Sequence, residues 1–152
     1  MRRNANVRHA ACWAALLAAT ATLGAWPGLS AEESATLAFD NRLEETVRVR
    51  VRTYPGERTE TLRPGTAHAF RFSTLADCAD QSRTFRIEDE DGSLLAAGSL
   101  VVRGVIDTVG LARWCHMRVQ EPMVSMQAPG AELRFRRDSA SEATLILTAR
   151  RK

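Results

Sequence analysis

The 152-residue chain carries 21 Lys and Arg residues against 18 Asp and Glu residues, which gives a formal charge of +3. Arg2, Arg3 and Arg8 precede the first acid, Glu32, and they account for this whole excess, so residues 32–152 are charge-balanced. Overall charge therefore excludes a general attraction of this part to nucleic acid, and only local basic patches remain to be considered.

Residues 1–31 have the layout of a cleavable secretory signal. The three arginines form a positive amino-terminal region, Ala10 to Trp26 form an apolar stretch, and Leu29-Ser30-Ala31 end it with small residues. We therefore expect export, to the bacterial periplasm or, alternatively, to the extracellular space. Cleavage is expected after Ala31, and retention of the segment as an anchor stays open.

Residues 32–152 have the length of a single domain, and no later stretch is long and apolar enough to span a membrane. Strands are predicted from alternation of apolar and polar residues, which is clearest in the Val-Arg repeat of residues 47–52. In chain order the predicted strands are 36–40, 47–52, 58–62, 67–73, 85–88, 94–102, 105–109, 115–119, 133–136 and 145–148.

Turn signals separate these strands, including Pro64-Gly65 and the hairpin pair Asp91-Gly92. Two linkers, 74–83 and 121–129, are predicted to be irregular. Eight to ten short strands at this spacing predict an all-β fold, a single antiparallel β-sandwich. The strand pattern resembles immunoglobulin-like sandwiches of exported bacterial proteins, and a resemblance in strand pattern alone implies no function.

The predicted export determines how the cysteines are interpreted. Cys12 would leave with the signal, so Cys78 and Cys115 remain as an even pair. In an oxidising compartment the simplest prediction is one disulfide between them, and two separate buried thiols are the alternative.

A copper site would use the Cys115-His116-Met117 triplet, to which His68, Met123 and Met126 could add, because thiolate, imidazole and thioether are ligands that copper favours. Adjacent strand residues point to opposite faces, and the predicted disulfide would occupy Cys115. We therefore expect no metal and no other cofactor, and His116, Met117 and His68 stay as the residues of the minority hypothesis.

Catalytic motifs give no support for an enzyme. The chain has no Gly-x-Ser-x-Gly run and no His-Glu-x-x-His run, and His68 and His116 are the only imidazoles after residue 31. The expectation is a non-enzymatic protein.

Arg48, Arg50 and Arg52 form the strongest binding candidate. Alternate residues of a strand share a face about 7 Å apart, so these arginines form a row that suits phosphate, sulfate or carboxylate groups. Cross-strand acids could instead neutralise the row.

The functional expectation is an exported binding or accessory module that contacts another envelope or extracellular protein, or an anionic envelope component. The alternatives are a periplasmic copper-handling protein and an inhibitor of an exported hydrolase that uses the 121–129 loop. No nucleic-acid partner is expected, and the sequence leaves the oligomeric state open.

Overall fold

The computed structural model of the chain describes residues 32–53, 56–73 and 77–151. The predicted secretory signal, residues 1–31, lies outside the described residues, as do positions 54–55 of the turn after the Val-Arg repeat. The described part is all-β, and within it no helix is long and apolar enough to cross a membrane.

Eleven strands make up this part of the chain. They are β1 (Glu32–Glu33), β2 (Ala35–Asn41), β3 (Val47–Arg52), β4 (Glu57–Leu62), β5 (Ala67–Phe72), β6 (Gln81–Glu88), β7 (Leu94–Val109), β8 (Ala112–Val119), β9 (Met123–Met126), β10 (Ala131–Arg137) and β11 (Glu142–Ala149).

The strands form two sheets. The large sheet has the order β1-β8-β7-β6-β3-β4, with β9 also paired to β7, and the small sheet has the order β10-β11-β2-β5. The prediction of a purely antiparallel fold is wrong, because β1 runs parallel to β8 and β11 runs parallel to β2. Both parallel neighbours are far apart in sequence, so turn signals between adjacent strands could not reveal these pairings.

Alternation along the strands builds one core shared by the two sheets. Val47, Val49 and Val51 are buried on the inner side of β3, whereas its arginines point outwards. Phe39 of the small sheet contacts Phe85 of the large sheet edge to face, with ring centroids 5.4 Å apart. The inner faces of both sheets therefore pack against each other in a sandwich-like arrangement.

The two strands predicted at 94–102 and 105–109 are one continuous 16-residue strand, β7. Its first part pairs with β6 and β9, and its second part pairs with β8, so β8 and β9 follow the same edge of β7. The segment 121–129, predicted to be irregular, thus contains β9. The predicted linker 74–83 is also shorter, because β6 begins at Gln81.

The predicted disulfide between Cys78 and Cys115 is confirmed. Cys78 lies in the connection from β5 of the small sheet to β6 of the large sheet, and Cys115 lies on β8. Both residues are buried in the shared core. The bridge therefore ties the crossover between the sheets to the β7–β8 hairpin.

Candidate functional site

The arginine row lies on the outer side of the large sheet. Strand β3, which carries it, is flanked by β4 and β6, so acids and bases on both neighbours can reach the row. Arg48 and Arg50 are half-buried, and Arg52 is exposed at the end of the strand.

The centre of the row is paired with acids. The Nε atom of Arg50 donates to Oε2 of Glu88 at 3.1 Å, and its Nη1 atom lies 3.6 Å from Oε1 of Glu57. Arg86, directly opposite Arg50 on β6, lies 3.7 Å from the other Glu88 oxygen. The Glu88 side chain is only 8% exposed, so one shielded carboxylate serves two neighbouring guanidinium groups.

The two ends of the row differ from its centre. Within the described residues, neither Arg48 nor Arg52 has a carboxylate within ion-pair distance. Arg52 borders a cleft of about 220 Å³ that is also lined by Thr53, Ser82, Arg83 and Thr84. Two guanidinium groups and three hydroxyl groups border this cleft, but Arg83 already donates to Ser82 O and Gln81 Oε1, and the Thr53 hydroxyl donates to Gly56 O.

The outer side of the large sheet continues the basic surface beyond the row. Strand register places Arg103 of β7 and Arg118 of β8 on this same side, directly opposite each other. We call this side the basic face and define it by its arginines, Arg48, Arg50, Arg52, Arg86, Arg103 and Arg118. The described carboxylates on the strands of this face are Glu57, Glu88 and Asp107, and strand register also places Glu33 of β1 on this side, so six guanidinium groups stand against four carboxylates there.

Sequence reasoning missed Arg103 and Arg118. Arg118 does alternate with Met117 and Val119, but Arg103 follows two valines and precedes a glycine, which hides the alternation. Only the pairing register of β7 with β8 brings the two side chains together.

The residues of the copper hypothesis are dispersed. Met117 is fully buried in the core, Cys115 is in the disulfide, and His116 faces outwards with its Nε2 atom 3.1 Å from Oδ2 of Asp107. His68 lies on β5 of the small sheet, 3.7 Å from Glu60. Among the described residues, no group of three or more His, Cys, Asp and Glu side chains is placed to hold a metal ion.

The carboxyl group of Asp138 has a shifted pKa. The hydrogen bond from the Thr144 hydroxyl, followed by the hydrogen bond and charge of Arg136, holds the pKa of Asp138 below its ordinary value. Asp138 is thereby held on the small sheet, next to Arg137 at the end of β10.

Comparison with known proteins adds no family assignment: no protein-family model matches the chain, and the search of curated proteins finds no match. A function can therefore be inferred only from the residues of the protein itself, above all those of the basic face.

Proposed function

We propose that this chain is an exported, non-catalytic β-sandwich module that binds an anionic partner through the basic face. The partner is an anionic component of the cell envelope or an acidic surface of an envelope protein. The observation that carries the proposal is the excess of guanidinium groups over carboxylates on that face, although residues 32–152 are charge-balanced. Arginine favours such contacts, because its planar group donates two parallel hydrogen bonds to carboxylate or phosphate.

Two observations support export. The first 31 residues have the composition of a secretory signal, and the Cys78–Cys115 disulfide is of the kind that persists in oxidising compartments. We keep an immunoglobulin-like sandwich as the proposed architecture, supported by the core that the two sheets share. The parallel pairs β1–β8 and β11–β2 are the features that any such assignment must accommodate.

We propose a non-catalytic role because the two histidines after residue 31 lie on different sheets and do not share a site. His68 belongs to the small sheet and lies next to Glu60, whereas His116 belongs to the large sheet and lies next to Asp107. Each histidine is thus engaged locally, and neither is placed with the other in a common site.

Retention on a sulfonate resin, measured against salt, tests the basic face. The double variant Arg48→Gln/Arg52→Gln removes two charges from the face, and Arg150→Gln/Arg151→Gln removes two exposed charges that follow β11 of the small sheet. Both variants have the same net charge. We expect the first to elute at clearly lower salt than the second, because contacts with an anion are local and screened over about 10 Å. Equal elution of the two variants would contradict the proposal.

A further inference from the structure

We propose that a phosphate monoester binds in a cleft lined by Arg103, Arg118 and Arg137. This inference rests on the proposed function, since Arg103 and Arg118 belong to the basic face, but it assigns a defined site and a ligand class. We call this site the three-arginine cleft.

The three-arginine cleft has a volume of about 480 Å³. Arg103 and Val105 come from β7, Arg118 comes from β8, and Arg137 and Ala140 come from the end of β10 and the turn that follows it. Both sheets therefore contribute arginines to one concave surface. The volume lies within the roughly 300–1,000 Å³ range of small-molecule sites and exceeds the space that a phosphate group needs.

Two pairs of arginines face each other in the large sheet, and the pair at this cleft differs from the other in its counter-charge. Arg50 and Arg86 face each other across β3 and β6, and Arg103 and Arg118 face each other across β7 and β8. Like charges directly opposite each other destabilise a sheet unless a counter-charge separates them. The first pair shares the shielded Glu88, whereas within the described residues the second pair shares no such carboxylate.

The net positive charge at the cleft suits a ligand with two negative charges. Arg103 lies 3.6 Å from the exposed Asp80, while Arg118 and Arg137 have no carboxylate partner in the part of the chain that the structure describes. The Arg137 guanidinium lies 5.6 Å from the centre of the Phe135 ring, and the adjacent Asp138 is engaged by Arg136 and Thr144.

Two uncompensated positive charges therefore border the cleft. A phosphate monoester carries about −1.5 to −2 charges at pH 7, which matches this balance better than the single charge of a carboxylate. The three guanidinium groups would each donate to its oxygens. The remaining volume beside Val105 and Ala140 would hold the group that bears the phosphate.

The direct test is a titration of the purified, disulfide-bonded protein with inorganic phosphate, followed by NMR signals of the backbone amides and the arginine Nε–H groups. We expect saturable shifts at residues 103–105 and 118–120, and no saturable shifts with acetate at the same ionic strength. The variant Arg118→Gln/Arg137→Gln should weaken phosphate binding by at least about tenfold, because it removes two of the three guanidinium groups that would donate charge-assisted hydrogen bonds to the phosphate.

Arg58→Gln/Arg63→Gln is the matched control, because it removes the same charge from exposed positions outside the cleft. It should bind phosphate as the unsubstituted protein does. Unaltered dispersion of the amide spectrum shows that each variant is folded. Phosphate binding that is equal in the two double variants overturns the three-arginine cleft.

Flotation with phosphatidylcholine vesicles containing phosphatidic acid distinguishes a lipid from a soluble phosphate ester. Co-flotation that is lost in Arg118→Gln/Arg137→Gln supports a lipid headgroup in the cleft, and phosphate shifts without co-flotation support a soluble ligand. Absence of both overturns the inference. If the resin experiment still separates the variants of the arginine row, the proposed function survives the loss of the cleft.

Discussion

At the scale of single residues, Gly104 shows how a small side chain permits a long-range connection. A Cβ atom at this position would overlap the carbonyl oxygen of Cys78, so the crossover segment packs directly on the backbone of β7. The Gly104 amide also donates to Oδ1 of Asp80 at 2.9 Å. Glycine here accommodates close approach of two backbones, and it does not interrupt the strand.

Gly104→Ala should therefore destabilise the fold. The added methyl group meets backbone atoms that cannot rotate away, so we expect a loss of roughly 1–3 kcal/mol in the free energy of unfolding, measured by urea denaturation. Gly130→Ala is the matched control, because nothing lies within 4 Å of its added Cβ. Equal denaturation midpoints for the two variants would show that the crossover segment is not packed on β7 as described.

At the scale of elements, the alternation of β3 made its boundaries and its two faces predictable from the sequence. The predicted strand 47–52 agrees with β3 because each valine is buried and each arginine faces outwards. The length of β7 was not predictable in the same way, since its residues 94–102 lie beside two neighbours and do not alternate cleanly. A strand covered on both edges is defined by its partners, which are distant in sequence.

The candidate site follows the same rule. The row of three arginines is visible in one strand, but the pairing of Arg50 with Glu88 depends on a neighbour 38 positions away. Likewise, Arg103 lies opposite Arg118 only because of the register of the β7–β8 hairpin. Arg137 lies beside them only because the small sheet packs against the large one. Local pattern thus predicts faces, whereas tertiary packing decides which charges are neutralised.

Glu88→Gln tests the neutralised centre of the row. It removes the shared counter-charge of Arg50 and Arg86 and leaves two like charges directly opposite each other. We expect a loss of roughly 1–2 kcal/mol in the free energy of unfolding, measured by urea denaturation. Glu90→Gln, in the exposed β6–β7 turn, removes an equal charge and should leave stability nearly unchanged. Equal effects would mean that overall charge, and not the shared contact, determines the result.

At the scale of the whole molecule, the disulfide is important because it connects two segments that are distant in the sequence. Cys78 belongs to the crossover that carries the chain from the small sheet to the large one, and Cys115 belongs to the hairpin that contributes Arg103 and Arg118. The bridge therefore restrains the hairpin relative to the shared core. It also links stability to the redox state of the compartment, because the restraint is lost wherever the disulfide is reduced.

Removal of the bridge should destabilise the entire domain. The disulfide closes a loop with a sequence separation of 37, for which the chain-entropy model gives about 3–4 kcal/mol. We expect urea denaturation of the Cys78→Ala/Cys115→Ala variant to show a loss of this size, and dithiothreitol to shift the unsubstituted protein towards the same midpoint. The variant itself is the control, since dithiothreitol should not change its curve. An unchanged midpoint in the variant would mean that core packing alone holds the crossover, and that the hairpin keeps its position without the covalent link.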